Sequence, residues 1–251
     1  MQAKWAGWML GVCIAYAPAL WADKLTDLTQ RAEHGDAAAQ TDLGTKYASG
    51  SGVARDYRQA EKLFRTAAER GNPLAQYNLG LMYAHGEGLP VNLKEAAHWF
   101  LKAAEQGDVP AQFNLGLMYA NGDGVPRHYE EAFKWFRKAA ERGYSLAQVD
   151  LGLLYIRGEG IAKNPDEAVK WFRLSAEQGN VIAQYHLGLC YLDGLSVAKD
   201  DEEAYVWFTL AAAQGDELAH GILDKLETEL TPKQIADAQK RAALWQPAVL
   251  H

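Results

Sequence analysis

Five near-copies of one block, spaced 36 residues apart, govern what this chain can fold into. The block is clearest from Ala111 to Gly143, AQFNLGLMYANGDGVPRHYEEAFKWFRKAAERG. Its Leu-Gly pair returns at Leu43-Gly44, Leu79-Gly80, Leu115-Gly116, Leu151-Gly152 and Leu187-Gly188. Tyr47, Tyr83, Tyr119, Tyr155 and Tyr191 each stand three residues after those glycines. Phe64, Phe100, Phe136, Phe172 and Phe208 follow, and Gly71, Gly107, Gly143, Gly179 and Gly215 close the copies. A fixed period of about 20–50 residues marks a solenoid, a propeller or an array.

Within one copy the apolar spacing is helical twice. Ala111, Leu115, Leu117, Met118 and Tyr119 recur at three and four residues, as do Ala132, Trp135, Phe136, Ala139 and Ala140. The turn formers of Asn121-Gly-Asp-Gly-Val-Pro126 must end the first helix. Asp56, Asn92, Asn164 and Asp200 then predict caps for the second helix, each with Gln or Glu three residues on in a capping-box-like pattern. His128 breaks that column. Asn72, Asp108, Asn180 and Asp216 predict caps for the first helix, with Tyr144 the exception. A mid-helix glycine costs about 1 kcal/mol against alanine, so five in register need a compensating gain. Close approach of the partner helix, through small pairs such as Ala67-Ala68 and Ala211-Ala212, is the expected gain. Such a hairpin cannot bury its apolar face alone and must stack on its neighbours.

The pattern A-x-x-x-L-G-x-x-Y-x-x-G-x-G-V, then A-x-x-W-F-x-x-A-A-x-x-G, resembles the Sel-one-like repeat, a cousin of the tetratricopeptide repeat. The likeness runs through residues 36–71, 72–107, 108–143, 144–179 and 180–215. It implies an all-α, right-handed superhelical solenoid of antiparallel helix-turn-helix repeats. It also implies a scaffold or adaptor for protein partners, in bacteria often in the cell envelope. Two other functions are associated with relatives. One is β-lactam or cell-wall hydrolysis in a cysteine-rich branch, and the other is a structural part in an envelope machine for exopolysaccharide or flagellar rotation.

The flanks differ from the copies. Residues 1–22 carry Lys4 as their single charge and an apolar stretch from Trp5 to Trp21, closing on Ala22. That is the pattern of a secretory signal peptide cleaved near Ala22, so export to the periplasm or beyond is expected. Kept uncleaved, the segment would be an anchor, although it is marginal in length for a membrane span. Leu10-Gly-Val-Cys13 is a poor lipoprotein box because Val12 is bulky and the apolar run continues past it. Residues 23–35 read as an amino-terminal capping helix. Residues 216–251 read as a partial sixth repeat, with Asp224 where the glycine should stand, and a last helix opened by Thr231-Pro232.

Charge and cysteine content narrow the chemistry. The chain is acidic, with a net charge of -7 and no basic block, which excludes a nucleic-acid or anionic-lipid surface. Removal of residues 1–22 would leave Cys190 alone, in an apolar column with Met82, Met118 and Leu154. Ser196-Val-Ala-Lys199 matches the S-x-x-K of penicillin-recognising enzymes. It falls in an inter-helix turn, however, and lacks the S-D-N and K-T-G partners. The G-x-G turns follow no strand and have no third glycine, so they are not phosphate loops. His34, His85, His98, His128, His186 and His220 have no paired metal spacing, and no cofactor or metal is expected. Trp99, Trp135, Trp171 and Trp207 lie beside core phenylalanines and are expected to seal joints between repeats.

A partner surface remains. Tyr77, Leu81, Ala84 and His85 should point away from the second helix, into a groove lined by first helices. Their counterparts are Phe113, Leu117, Ala120 and Asn121; Val149, Leu153, Ile156 and Arg157; and Tyr185, Leu189, Leu192 and Asp193. Candidate partner-binding residues are therefore Tyr77, His85, Phe113, Asn121, Ile156, Arg157, Tyr185 and Asp193. His85, Asn121, Arg157 and Asp193 differ from copy to copy while the core repeats.

Overall fold

The computed structural model describes residues 24–248, so the expected signal peptide lies outside the described residues. All regular structure among the described residues is α-helical. The chain forms two units, one ending at Asp108 and the other beginning at Val109. The first holds α1 (24–33), α2 (Ala37–Ser49), α3 (Tyr57–Glu69), α4 (Pro73–His85) and α5 (Leu93–Glu105). The second holds α6 (Val109–Asn121), α7 (Tyr129–Glu141), α8 (Ser145–Arg157), α9 (Pro165–Glu177), α10 (Val181–Asp193), α11 (Asp201–Ala213), α12 (Glu217–Glu229) and α13 (Pro232–Leu244). The two helices of each hairpin, α2–α3, α4–α5, α6–α7, α8–α9 and α10–α11, pack together; α3 packs on α4 in the first unit, and α7 on α8, α9 on α10 and α11 on α12 in the second, as in an all-α repeat solenoid.

The mid-helix glycines explain how each hairpin closes. A Cβ on Gly80 would lie 2.7 Å from the ring of Phe100, and one on Gly116 would lie 2.6 Å from Phe136. Gly44 and Phe64, Gly152 and Phe172, and Gly188 and Phe208 meet in the same way. The expected contact with the small alanine pairs is therefore corrected. The glycine admits an aromatic ring, and burying that ring offsets the glycine's cost to the helix.

Caps set the helix starts. Asp56, Asn92, Asn164 and Asp200 each accept a backbone N–H at the start of a second helix. The reciprocal half of a capping box forms only at Thr231 and Gln234 among the described residues. Elsewhere the third-position acid is engaged differently: Glu167 holds Lys170 at 2.5 Å, and Glu203 accepts from the Trp207 indole at 2.8 Å. His128 does not break the column, because its Nδ1 accepts from the Glu131 N–H at 3.4 Å. Tyr144 makes no capping bond; its ring packs 5.1 Å from that of Phe113.

A buried glutamine column, overlooked in the sequence, ties successive repeats together. Gln40, Gln76, Gln148 and Gln184 donate from Nε2 to the carbonyls of Ala32, Ala68, Ala140 and Ala176, at the end of the preceding helix. Gln106, Gln178 and Gln214 then donate to Oε1 of Gln76, Gln148 and Gln184 at 2.7–2.9 Å. Position 70 is arginine and donates to the Gly35 carbonyl instead, which leaves Gln40 Oε1 buried without a partner. Tyrosines add a second tie: the Tyr83 and Tyr191 hydroxyls accept from Arg65 and Arg173 of the preceding second helix, at 2.7 and 2.9 Å.

Both termini are covered by helices. Ala32 of α1 joins Ala39 and Leu43 in a buried cluster. At the other end α12 and α13 both pack on α11. Buried Tyr205 serves both, donating from its hydroxyl to Glu227 of α12 and accepting from Gln239 of α13. Trp207 meets Trp245 edge-on, and Trp99 lies in the core cluster of Phe64 and Leu79, as expected of joint-sealing tryptophans.

Ser196 occupies the turn position that is glycine in the other four copies, and its φ of 55° is left-handed. An L-side chain there costs about 1–2 kcal/mol, partly balanced by the greater unfolded-state freedom of glycine. Ser196→Gly is therefore expected to raise stability by about 0.5 kcal/mol, read as a higher urea midpoint at unchanged m. An unchanged or lower midpoint would mean that the turn is not strained.

Candidate functional site

In the first unit, His85 is the exposed last residue of α4, directly before Gly86. Tyr77 is half-buried, with its ring 5.8 Å from that of Phe100. In the second unit Asn121, Arg157 and Asp193 are likewise the exposed last residues of α6, α8 and α10. Asn121 donates to Asp123 at 3.1 Å, and Arg157 lies 3.7 Å from Glu159. Ile156 is half-buried.

The aromatic column needs correction. The ring of Phe113 lies tilted 5.8 Å from that of Phe136, the ring of Tyr185 meets that of Phe208 edge-on at 5.8 Å, and Val149 is buried. These side chains lean toward the second helix of their own hairpin instead of standing clear of it. The outer side of each first helix runs through its second residue and the positions four, seven and eleven further on. In α4 they are Leu74, Asn78, Leu81 and His85; in α8, Leu146, Asp150, Leu153 and Arg157; in α10, Ile182, His186, Leu189 and Asp193. In these three helices the two ends of that side are exposed and its middle is half-buried, with Leu153 and Leu189 also touching the core. Two columns were thus missed. One begins with exposed aliphatics: Leu74 is 48% accessible, Leu146 39%, Ile182 48% and Leu218 67%. The other, Asp42, Asn78, Asn114, Asp150 and His186, could have been found as the polar residue just before every Leu-Gly pair.

Asp150 and His186 are the titratable groups of that second column in the second unit. Burial pushes the Asp150 carboxyl up to about 6, with Arg157 acting in the opposite direction. Asp150 makes no hydrogen bond or ion pair with the described residues. Burial also holds the His186 imidazole below its ordinary range, helped by Arg157 and opposed by Asp216; the ring stacks 5.1 Å from Phe172.

Cys190 is buried, and burial pushes its thiol up to about 11, far from the reactive thiolate range. Ser196 stands in a turn, no hydrogen bond joins it to Lys199, and the Lys199 ammonium lies 3.4 Å from Asp201. No group of three or more metal-ligating side chains gathers among the described residues.

Helix pairs repeating every 36 residues around a phenylalanine–glycine core define an all-α helical repeat protein. The Sel1 repeat matches five times, at residues 37–72, 73–108, 109–144, 145–180 and 181–216, and the chain belongs to the Sel1 repeat family. Proteins of this family are generally protein-interaction scaffolds. The chain is similar to c5321, a protective antigen of uropathogenic Escherichia coli strains with an SLR fold. That match has 37% identity and a TM-score of 0.79 over 86% of this chain, which spans 47% of the E. coli protein. It is also similar to a Sel1 repeat protein from Oxalobacter formigenes, with 33% identity and a TM-score of 0.79, covering 90% of this chain and 95% of that one. No curated protein matches the chain.

Proposed function

We propose that this protein is an exported, non-catalytic scaffold of the bacterial cell envelope that docks protein partners on its first-helix faces. The observation that carries this reading is the contrast between faces. Toward the core every copy repeats Leu, Gly, Tyr and Gln, while the opposite side of the first helices varies, and α4, α8, α10 and α12 each hold an aliphatic side chain in water there. Surface aliphatics in a row, rimmed by polar groups, are a mark of interaction sites. The signal-like character of residues 1–22 supports export, and no described helix is long and apolar enough to cross a membrane.

A photo-crosslinking residue placed at Leu189 tests the docking face, with one at Arg173 on a second helix as control. The Leu189 probe should capture a protein in living cells and the Arg173 probe should not. The joint alanine variant of His85, Asn121, Arg157 and Asp193 should weaken that capture with a nearly unchanged Tm, since exposed substitutions stay within about 0.5 kcal/mol each. Capture by Arg173 alone would move the docking surface to the second helices. Export is read separately, by fusing residues 1–22 to a reporter; a reporter retained in the cytoplasm overturns it.

A further inference from the structure

Resting on the scaffold reading, we propose that the face formed by α8, α10 and α12 receives a short basic peptide segment bearing aliphatic side chains. Four rows cross these three helices. The first is Leu146, Ile182 and Leu218, aliphatics that are 39%, 48% and 67% accessible. The second is Asp150, His186 and Ile222, and the third is Leu153, Leu189 and Lys225. Arg157, Asp193 and Glu229 form the last.

The charges on this face are unequally answered. Arg157 is already faced by Glu159 at 3.7 Å. Asp193 and Glu229 are exposed, and neither makes an ion pair with the described residues. Lys225 is the one further cation in these rows. His186, held toward its neutral form by burial, does not offset the acids.

Asp150 sharpens the argument. It is half-buried without a partner, where Asn78 and Asn114 occupy the same column in other copies. A neutral amide of the same shape would have satisfied the fold at lower cost, since a buried charge is expensive unless paired. A cation arriving from outside is the partner that this carboxylate lacks. A second copy of the chain is a poor occupant, because an acidic chain of net charge -7 would set like charges against each other. Adjacent first helices stand about 10 Å apart, so three are crossed by about seven extended residues.

Three fluorescein-labelled nonapeptides in a Gly-Ser background serve as probes, with fluorescence anisotropy at pH 7.5 as the readout and the full chain as receptor. One carries two leucines and two lysines; in the second the lysines become glutamates; in the third the leucines become serines. The Leu/Lys peptide should bind at least about tenfold more tightly than either other peptide, and added salt should weaken it. Asp150→Asn with Asp193→Asn should remove most of the advantage over the glutamate peptide, and Ile182→Ser most of that over the serine peptide. Melting of each variant at or above the parent's temperature shows that a loss is one of recognition. A glutamate peptide that binds equally well, and is weakened by Ile182→Ser, overturns the basic chemistry while the docking face stands. No binding of any peptide up to about 1 mM also overturns it. If the Leu189 crosslinker then captures nothing in cells, the scaffold reading falls too.

Discussion

Gly116→Val is expected to lower the protein's stability by about 3 kcal/mol, at the upper end of overpacking costs. A Cβ at Gly116 would already sit 2.6 Å from two ring carbons of Phe136, and that ring is fully buried. The branched valine adds two further carbons where the ring has no room to move, so the α6–α7 hairpin must open. In a repeat array such damage passes to stacked neighbours, so amides of α8 and α9 should lose hydrogen-exchange protection as well. The melting temperature should fall by roughly 6–12 °C. Gly221 supplies the control, because no atom lies within 4 Å of a Cβ built on it. Gly221→Ala should therefore stabilise by up to about 1 kcal/mol, through helix propensity alone. Equal effects at the two positions would show that the ring contact is not what keeps Gly116 small.

The glycine also shows what the sequence could and could not disclose. Its recurrence every 36 residues announced a close contact, because propensity alone disfavours it five times over. Which group makes the contact was not legible. Periodicity assigns a residue to a face, whereas the depth to which Phe136 reaches across the hairpin depends on rotamer and crossing geometry. The same limit produced the misplaced aromatic column. Phe113 and Tyr185 lie at the margin between the core and the outer face, and a long ring at that margin swings toward the nearest buried surface, here Phe136 and Phe208. His128 was misread for a chemical reason: imidazole is not a usual cap, yet its Nδ1 offers the same lone pair as an Asp or Asn oxygen. The glutamine column and the polar column of Asp150 were both visible as repeats, but amide pairing and an unanswered carboxylate are tertiary facts.

Asp150→Asn is expected to stabilise the protein at neutral and alkaline pH, and the gain should vanish in acid. The carboxyl titrates near 3.8 when free and near 6 when folded, because burial penalises its charge. Above pH 6 it is ionised in both states, and the full cost of holding it in the fold is present. Between pH 6 and 3.8 the folded chain keeps a proton that the unfolded chain has released, so the cost falls as pH falls. Below 3.8 both states are protonated and no cost remains. Two pKa units correspond to nearly 3 kcal/mol, which solvent on the open side of the half-buried group reduces to about 1–2 kcal/mol. Asparagine has nearly the same shape and cannot ionise. The variant should therefore melt roughly 2–6 °C above the parent at pH 8 and within about 1 °C of it at pH 3.5. His186 contributes the opposite trend, since an imidazole with a lowered pKa loses stability as pH falls; it is present in both proteins and cancels from the difference. A pH-independent gap between the two melting curves would remove the desolvation argument. A gap of the expected sign, together with weaker binding of the Leu/Lys peptide, would mean that Asp150 gives up stability in the empty scaffold for a charge that its partner answers.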